Sequence, residues 1–88
     1  NSRLINAATS TNRQIMKTLE ELTADVKTVE AVYVPVAALG GHYLRVNRYE
    51  FLNMLADMQL HAKRQPHPTR FDYQIELDAL WITATAGP

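Results

Sequence analysis

"EAVYVPVAALGGHYLRV", Glu30–Val46, is the stretch that decides the fold. Val32, Val34 and Val36 alternate with Tyr33 and Pro35, and His42, Leu44 and Val46 alternate with Tyr43 and Arg45. A period of two sends successive side chains to opposite faces, so each run reads as a strand. Leu39-Gly40-Gly41 turns the chain between them, which makes a hairpin with its loop around Ala38 to Gly41. Pro35 cannot donate to a ladder, so the first strand is expected at a sheet edge, at least locally.

Downstream, the period changes to that of a helix. Asn47 can accept from the N–H groups left free at a first helical turn, and Glu50 follows three residues later as in a capping box. Phe51, Leu55, Met58 and Ala62 fall in one line at helical spacing, flanked by Leu52 and Met54. Lys63 and Arg64 suit the negative C-terminal end, and Pro66 and Pro68 stop the helix. Phe71, Tyr73, Ile75 and Leu77 then alternate with Arg70, Asp72, Gln74, Glu76 and Asp78, as in a strand with one wet face. After Asp78 the apolar phase slips to Leu80 and Ile82. A slip sends side chains to the opposite face, so a bulge or a tight turn is expected near Asp78-Ala79. With a turn there, a fourth strand runs from Leu80 to Thr85.

Upstream, Ile5, Ala8, Asn12, Ile15, Leu19, Leu22, Val26 and Val29 recur at alternating steps of three and four. This is the a/d spacing of a coiled-coil seam, sustained for about three and a half heptads. Asn12 falls on an a position, where a buried Asn can pair with its twin and fix register. The e and g positions lack opposed charges, and Leu4 and Met16 widen the stripe, as in a helix that covers its own sheet. Both readings stand at this point.

The order is α-β-β-α-β-β within a single domain spanning residues 1–88. It predicts an α+β two-layer sandwich of ferredoxin-like type in a circularly related αββαββ order. Its sheet is expected to be antiparallel, with two helices on one face and a long N-terminal helix.

Composition narrows the function. Nine basic residues balance nine acidic ones, which argues against a general nucleic-acid binder, because phosphate contacts need surplus Lys and Arg. No cysteine is present, which removes disulfides, thiolate ligands and Cys nucleophiles. No apolar run approaches the roughly 20 residues of a membrane span. Asp57 and His61 are i, i+4 on one helix and could ligate a metal, but two ligands are too few. Glu50 and Asp57 could form an acid–base pair, although solvated charges also belong on that face. No nucleophile elbow surrounds Ser10, and Gly40-Gly41 is too short for a phosphate loop. Lys63, Arg64, His67 and Arg70 could meet phosphate, or could serve only the helix end. Arg45 and Arg48 beside Tyr43 and Tyr49 suit single-stranded RNA on a sheet, but the aromatic-rich strand of the RNA-recognition fold is missing. No catalytic residue, metal site or cofactor is therefore expected.

The layout of seam helix, hairpin, "RYEFLNMLADMQ" (Arg48–Gln59) and terminal strand pair resembles the periplasmic domains of PilO- and GspM-type inner-membrane proteins. These belong to the assembly platforms of type IV pili and type II secretion. Tyr43, Leu44, Val46, Phe51, Leu52, Leu55 and Met58 stand in for the family's short strand followed by a helix patterned like F-x-x-L-x-x-L. The resemblance implies a non-enzymatic domain that forms a homodimer, or a heterodimer with a related subunit. It also implies a periplasmic location, with a membrane anchor only in a segment outside this chain and no nucleic-acid partner.

The expected interface comprises Ile5, Ala8, Asn12, Ile15, Leu19, Leu22, Val26, Val34 and Trp81, on the helix stripe and on a sheet face or edge. Trp81 lies opposite Leu80 and Ile82 in phase, where a large aromatic can anchor a partner; packing in the core against the second helix is the alternative, and the phase slip at Asp78 leaves both open. The rival expectations are a small ligand-binding or regulatory domain using the Gly40-Gly41 and Pro66–Pro68 loops, and a nucleic-acid factor using Arg45, Arg48, Lys63, Arg64 and Arg70.

Overall fold

A computed structural model describes residues 16–37, 40–66 and 68–87. The elements are α1 (Leu19–Val26), β1 (Ala31–Val36), β2 (His42–Val46), α2 (Arg48–Ala62), β3 (Arg70–Glu76) and β4 (Ala79–Ala86). The four strands form one sheet in the order β2-β1-β4-β3. Two hairpins, β1–β2 and β3–β4, are antiparallel and join through a parallel β1–β4 pair. The result is a small α+β fold with two helices and a mixed sheet.

The antiparallel sheet expected from the sequence is thus corrected at its centre. Hairpins dictate antiparallel pairing only within themselves. Which strand of one hairpin meets which strand of the other is a long-range choice, and here β1 and β4 run the same way. The edge position expected for β1 is also corrected: β1 is interior. Its pairing with β4 covers only Ala31–Tyr33, however, so Pro35 has a ladder partner on one side alone, Tyr43 of β2. A residue without an N–H is tolerated there because no second ladder requires one.

Local signals account for the rest of the frame. Gly40 and Gly41 have φ of 65° and 90°, a region open to glycine, and they deliver the chain into β2. Asn47 Oδ1 accepts from the N–H groups of Tyr49 and Glu50, each at 3.0 Å, and starts α2. The phase slip after Asp78 is a turn: Leu77 and Asp78 join β3 to β4, with Leu77 at φ 56° and fully exposed. A bulge follows farther along, where the register shifts between Asp72 and Tyr73. Thr83 is the extra residue on β4, and its hydroxyl donates to the Asp72 carbonyl at 3.1 Å.

The long N-terminal helix is corrected within the described residues, where α1 begins only at Leu19. Lys17 is instead in extended backbone, exchanging hydrogen bonds with Phe71 on the outer edge of β3 (2.6 and 2.9 Å). Thr18 then caps the helix: its hydroxyl accepts from Glu21 N at 3.0 Å, and its own N–H donates to Glu21 Oε1 at 2.8 Å. That N–H holds the Glu21 carboxyl below its ordinary value. This contribution is therefore complete above the ordinary carboxylate pKa and is lost as pH falls through the lowered one. Thr18→Ala is expected to cost about 1 kcal/mol, visible as a lower thermal midpoint, while Thr18→Ser retains most of it. Equal midpoints for wild type and Thr18→Ala would show that α1 needs no N-terminal cap at this point.

Leu19, Leu22 and Val26 of α1 meet Phe51 and Leu55 of α2 over Val32, Phe71, Tyr73, Leu80 and Ile82 of the sheet. Strand register places those five sheet residues on one face, so both helices cover that face. Met58 and Leu52 continue the α2 side of the core, half-buried.

Candidate functional site

Among the described residues the opposite face of the sheet carries no helix, and its side chains follow from register. Tyr33 pairs with both Arg45 and Trp81, and Trp81 pairs with Gln74. One row across the sheet therefore reads Arg45, Tyr33, Trp81, Gln74. Tyr43 and Pro35 occupy the next row on the β1–β2 side. Along β3, Asp72 and Glu76 flank Gln74 on the same face, because side chains two apart in a strand point the same way.

Three aromatic rings meet on this face. Tyr33 stacks on Trp81 with centroids 4.0 Å apart and planes 9° from parallel. Tyr43 meets Trp81 edge-on at 5.2 Å and 87°. Such pairs contribute about 0.5–1.5 kcal/mol beyond their buried area, so the cluster is held in one arrangement before anything docks on it. Tyr33 and Trp81 are half-buried, and Tyr43 is exposed. A rigid aromatic platform beside Arg45 has the composition of an interface core, where Tyr, Trp and Arg are enriched.

The expected interface residues divide. Trp81 lies on the open face, opposite Leu80 and Ile82. Val34 faces the helices and packs against the core. Leu19, Leu22 and Val26 are at most 5% exposed, packed in the chain's own core. The described part of the apolar stripe thus covers its own sheet. Ile5, Ala8, Asn12 and Ile15 lie outside the described residues. Tyr33, Tyr43 and Arg45 were absent from the expected interface. Their shared phase, opposite Val32 and Val34, was legible as a signal; the β1–β4 register that brings Trp81 to them was not.

The other candidates stand apart. Arg48 donates to the Val29 carbonyl at 2.6 Å and to the Tyr49 hydroxyl at 3.2 Å, and its guanidinium lies 5.1 Å from the Tyr49 ring centre. It thereby ties the segment before β1 to the start of α2. A cleft of ≈ 760 Å³ opens beside it, lined also by Arg45, Asn47, Glu30 and Asp78. Basic and acidic groups are mixed on its walls. Asp57 and His61 are both exposed and share a smaller hollow with Leu19, Met54 and Met58. Glu50 is exposed at the start of the same helix. Lys63 and Arg70 line a third hollow, with Leu60 and Pro68, at the far end of α2. Among the described residues, no three of His, Cys, Asp or Glu converge as a metal would require.

One titratable pair is built into the core. The Tyr73 hydroxyl donates to Asp25 Oδ2 at 2.5 Å, and Lys17 Nζ lies 4.7 Å from the centre of the Tyr73 ring. Burial, reinforced by the bond to Asp25, pushes the Tyr73 hydroxyl well above its ordinary pKa. The pair joins α1 to β3 and lies on the helix side of the sheet, away from the aromatic platform.

The described residues form a two-layer α+β fold with helices on one sheet face and none on the other. Comparison with family models, characterised proteins and solved structures returned no match. No helix among the described residues is long and apolar enough to cross a membrane.

Proposed function

We propose that this chain is a non-enzymatic protein–protein interaction domain that forms a homodimer, or a heterodimer with a related subunit, in a bacterial membrane-associated assembly. The observation that carries the reading is the Tyr33–Trp81–Tyr43 cluster on a sheet face that no helix among the described residues covers. Ordered aromatics beside an arginine, away from any convergent catalytic groups, favour docking over chemistry. The resemblance to PilO- and GspM-type periplasmic domains supplies the assembly. In this reading they share with the chain a ferredoxin-like sandwich, type IV pilus or type II secretion as the setting, and the periplasm as compartment. The parallel β1–β4 pair is a departure from the fully antiparallel ferredoxin-like sheet, so the likeness rests on two helices over four strands.

A second reading, a small ligand-binding or regulatory domain, is favoured by the cleft at Arg48 and Asn47. A nucleic-acid role for the aromatic face is opposed by its charge balance, because Asp72 and Glu76 offset Arg45 and Arg70 and leave no surplus of positive charge for a phosphate backbone.

Sedimentation velocity across a wide concentration range tests the proposal. The expected result is a concentration-dependent rise toward the dimer mass, or a stable complex with a related subunit. A chain that stays monomeric at the highest concentrations and binds no subunit overturns it. A monomer whose melting rises with small anions or metabolites would transfer the function to the cleft.

A further inference from the structure

We infer that the open sheet face is a self-complementary dimer interface, occupied by the same face of a second copy of this chain. The inference rests on the interaction-domain reading above and deepens it by naming the surface, the partner and the symmetry.

The argument begins with the distribution of charge across the face. The sheet order is β2-β1-β4-β3, with Arg45 on one outer strand and Asp72 and Glu76 on the other. The aromatic pair Tyr33–Trp81 lies between them, on the two central strands. Arg70 shares that phase at the start of β3, so the face has a basic margin, an aromatic centre and a margin where two carboxylates outnumber one arginine, the acids lying nearest the Tyr33–Trp81 row. Charges arranged this way repel no copy of themselves that is turned through half a rotation.

One symmetry operation satisfies all three zones. A two-fold axis placed between two such faces, parallel to the strands and over the β1–β4 boundary, lays β2 of one protomer over β3 of its mate, and β1 over β4. A closed two-fold contact of this kind uses the same patch on both subunits. Because Arg45, Tyr33, Trp81 and Gln74 share one row, Arg45 then stands over the second copy's Gln74. Asp72 and Glu76 lie about 7 Å to either side along the strand, within reach of an arginine across sheets packed roughly 10 Å apart. The operation also repeats itself: the second copy's Arg45 meets the first copy's acids. Tyr33 of each protomer faces Trp81 of the other, so the aromatic centre closes on itself and excludes water from between the charged margins.

The opposite axis, perpendicular to the strands, fails by the same geometry. It lays β2 over β2 and β3 over β3, setting Arg45 against Arg45 and acid against acid. Like charges brought together at an interface suppress association. The face therefore selects the strand-parallel axis.

The experiment is sedimentation equilibrium on the full chain carrying exposed charge reversals. Arg45→Glu alone, and Asp72→Arg with Glu76→Arg together, should each weaken self-association by about tenfold or more. Mixing the two variants should restore association, because both salt contacts re-form in the mixed pair. Trp81 emission should shift to shorter wavelength with concentration in the wild type and in the mixture, but not in either variant alone. Thermal melts of each variant monitor folding independently of association.

If the wild type dimerises but neither reversal alters the affinity, this interface is wrong and the interaction-domain reading survives on another surface. If both reversals weaken association but mixing restores nothing, the two-fold arrangement is wrong. A wild type that is monomeric throughout removes the self-complementary interface, and the interaction-domain reading then rests on binding of a related subunit.

Discussion

Leu55→Ala is expected to lower stability by about 3 kcal/mol, which for an 88-residue chain is a large share of the total. Leu55 has no exposed surface and sits where α2 meets both α1 and the sheet. Truncation removes its transfer free energy and leaves a cavity between elements that cannot close without moving a helix. A domain of this size shifts its thermal midpoint by roughly 4–8 °C per kcal/mol, so the variant should melt at least 10 °C lower. Leu60 provides the control. It lies on the same helix but is 68% exposed, and Leu60→Ala should change the midpoint by no more than about 0.5 kcal/mol equivalent. Both melts are to be run at one protein concentration, because dimerisation would make the midpoint concentration-dependent. Similar midpoints for the two variants would mean that α2 does not bury the face described.

Tyr73→Phe is expected to destabilise the chain by about 1.5–2 kcal/mol at neutral pH, and by progressively less in alkali. The hydroxyl is buried and donates to a half-buried carboxylate, Asp25, so its removal leaves the acceptor without its donor. The pH dependence has a definite sign. The folded pKa of Tyr73 is raised above the ordinary value of 10.0, first by burial and then by Asp25. Stability from the protonated hydroxyl is therefore complete below pH ~10 and is lost as pH climbs through the raised value. Over that window the unfolded wild type can ionise Tyr73 and the folded wild type cannot. The variant has no such group, so its deficit shrinks with rising pH. Urea unfolding at pH 7 and at pH 11 checks this. The phenolate absorbance present in wild type and missing from the variant should appear together with unfolding. A deficit that stays constant between the two pH values would rule out the linkage.

Much of this frame was legible locally. Asn47 and the prolines marked the bounds of α2, Gly40-Gly41 marked the first turn, and the phase slip after Asp78 marked the second. In each case the signal and its cause lie within a few residues of one another. The failures involve partners distant in sequence. Lys17 fits the helical period of the residues around it, yet its backbone pairs with Phe71 and the helix starts two residues later. Pro35 suggested an edge strand, and the local reason held while the strand itself proved interior. For the candidate surface, Trp81 was named as a candidate interface residue, but its stacking partner was not. Tyr33 and Trp81 are neighbours only because β1 and β4 run parallel.

The sequence alone determined the number and order of most elements, the turns between them and which residues of each strand share a face. These follow from backbone chemistry and from side-chain periods of two and 3.6, both of which act over short range. Only the tertiary structure decided the pairing of β1 with β4, the diversion of Lys17 to the β3 edge and the meeting of Tyr33, Tyr43 and Trp81. Each of these depends on which hydrogen-bonding edges find one another once the apolar faces are buried together. The hydrophobic effect that drives burial is non-directional, and it specifies no such pairing in the order of residues along the chain.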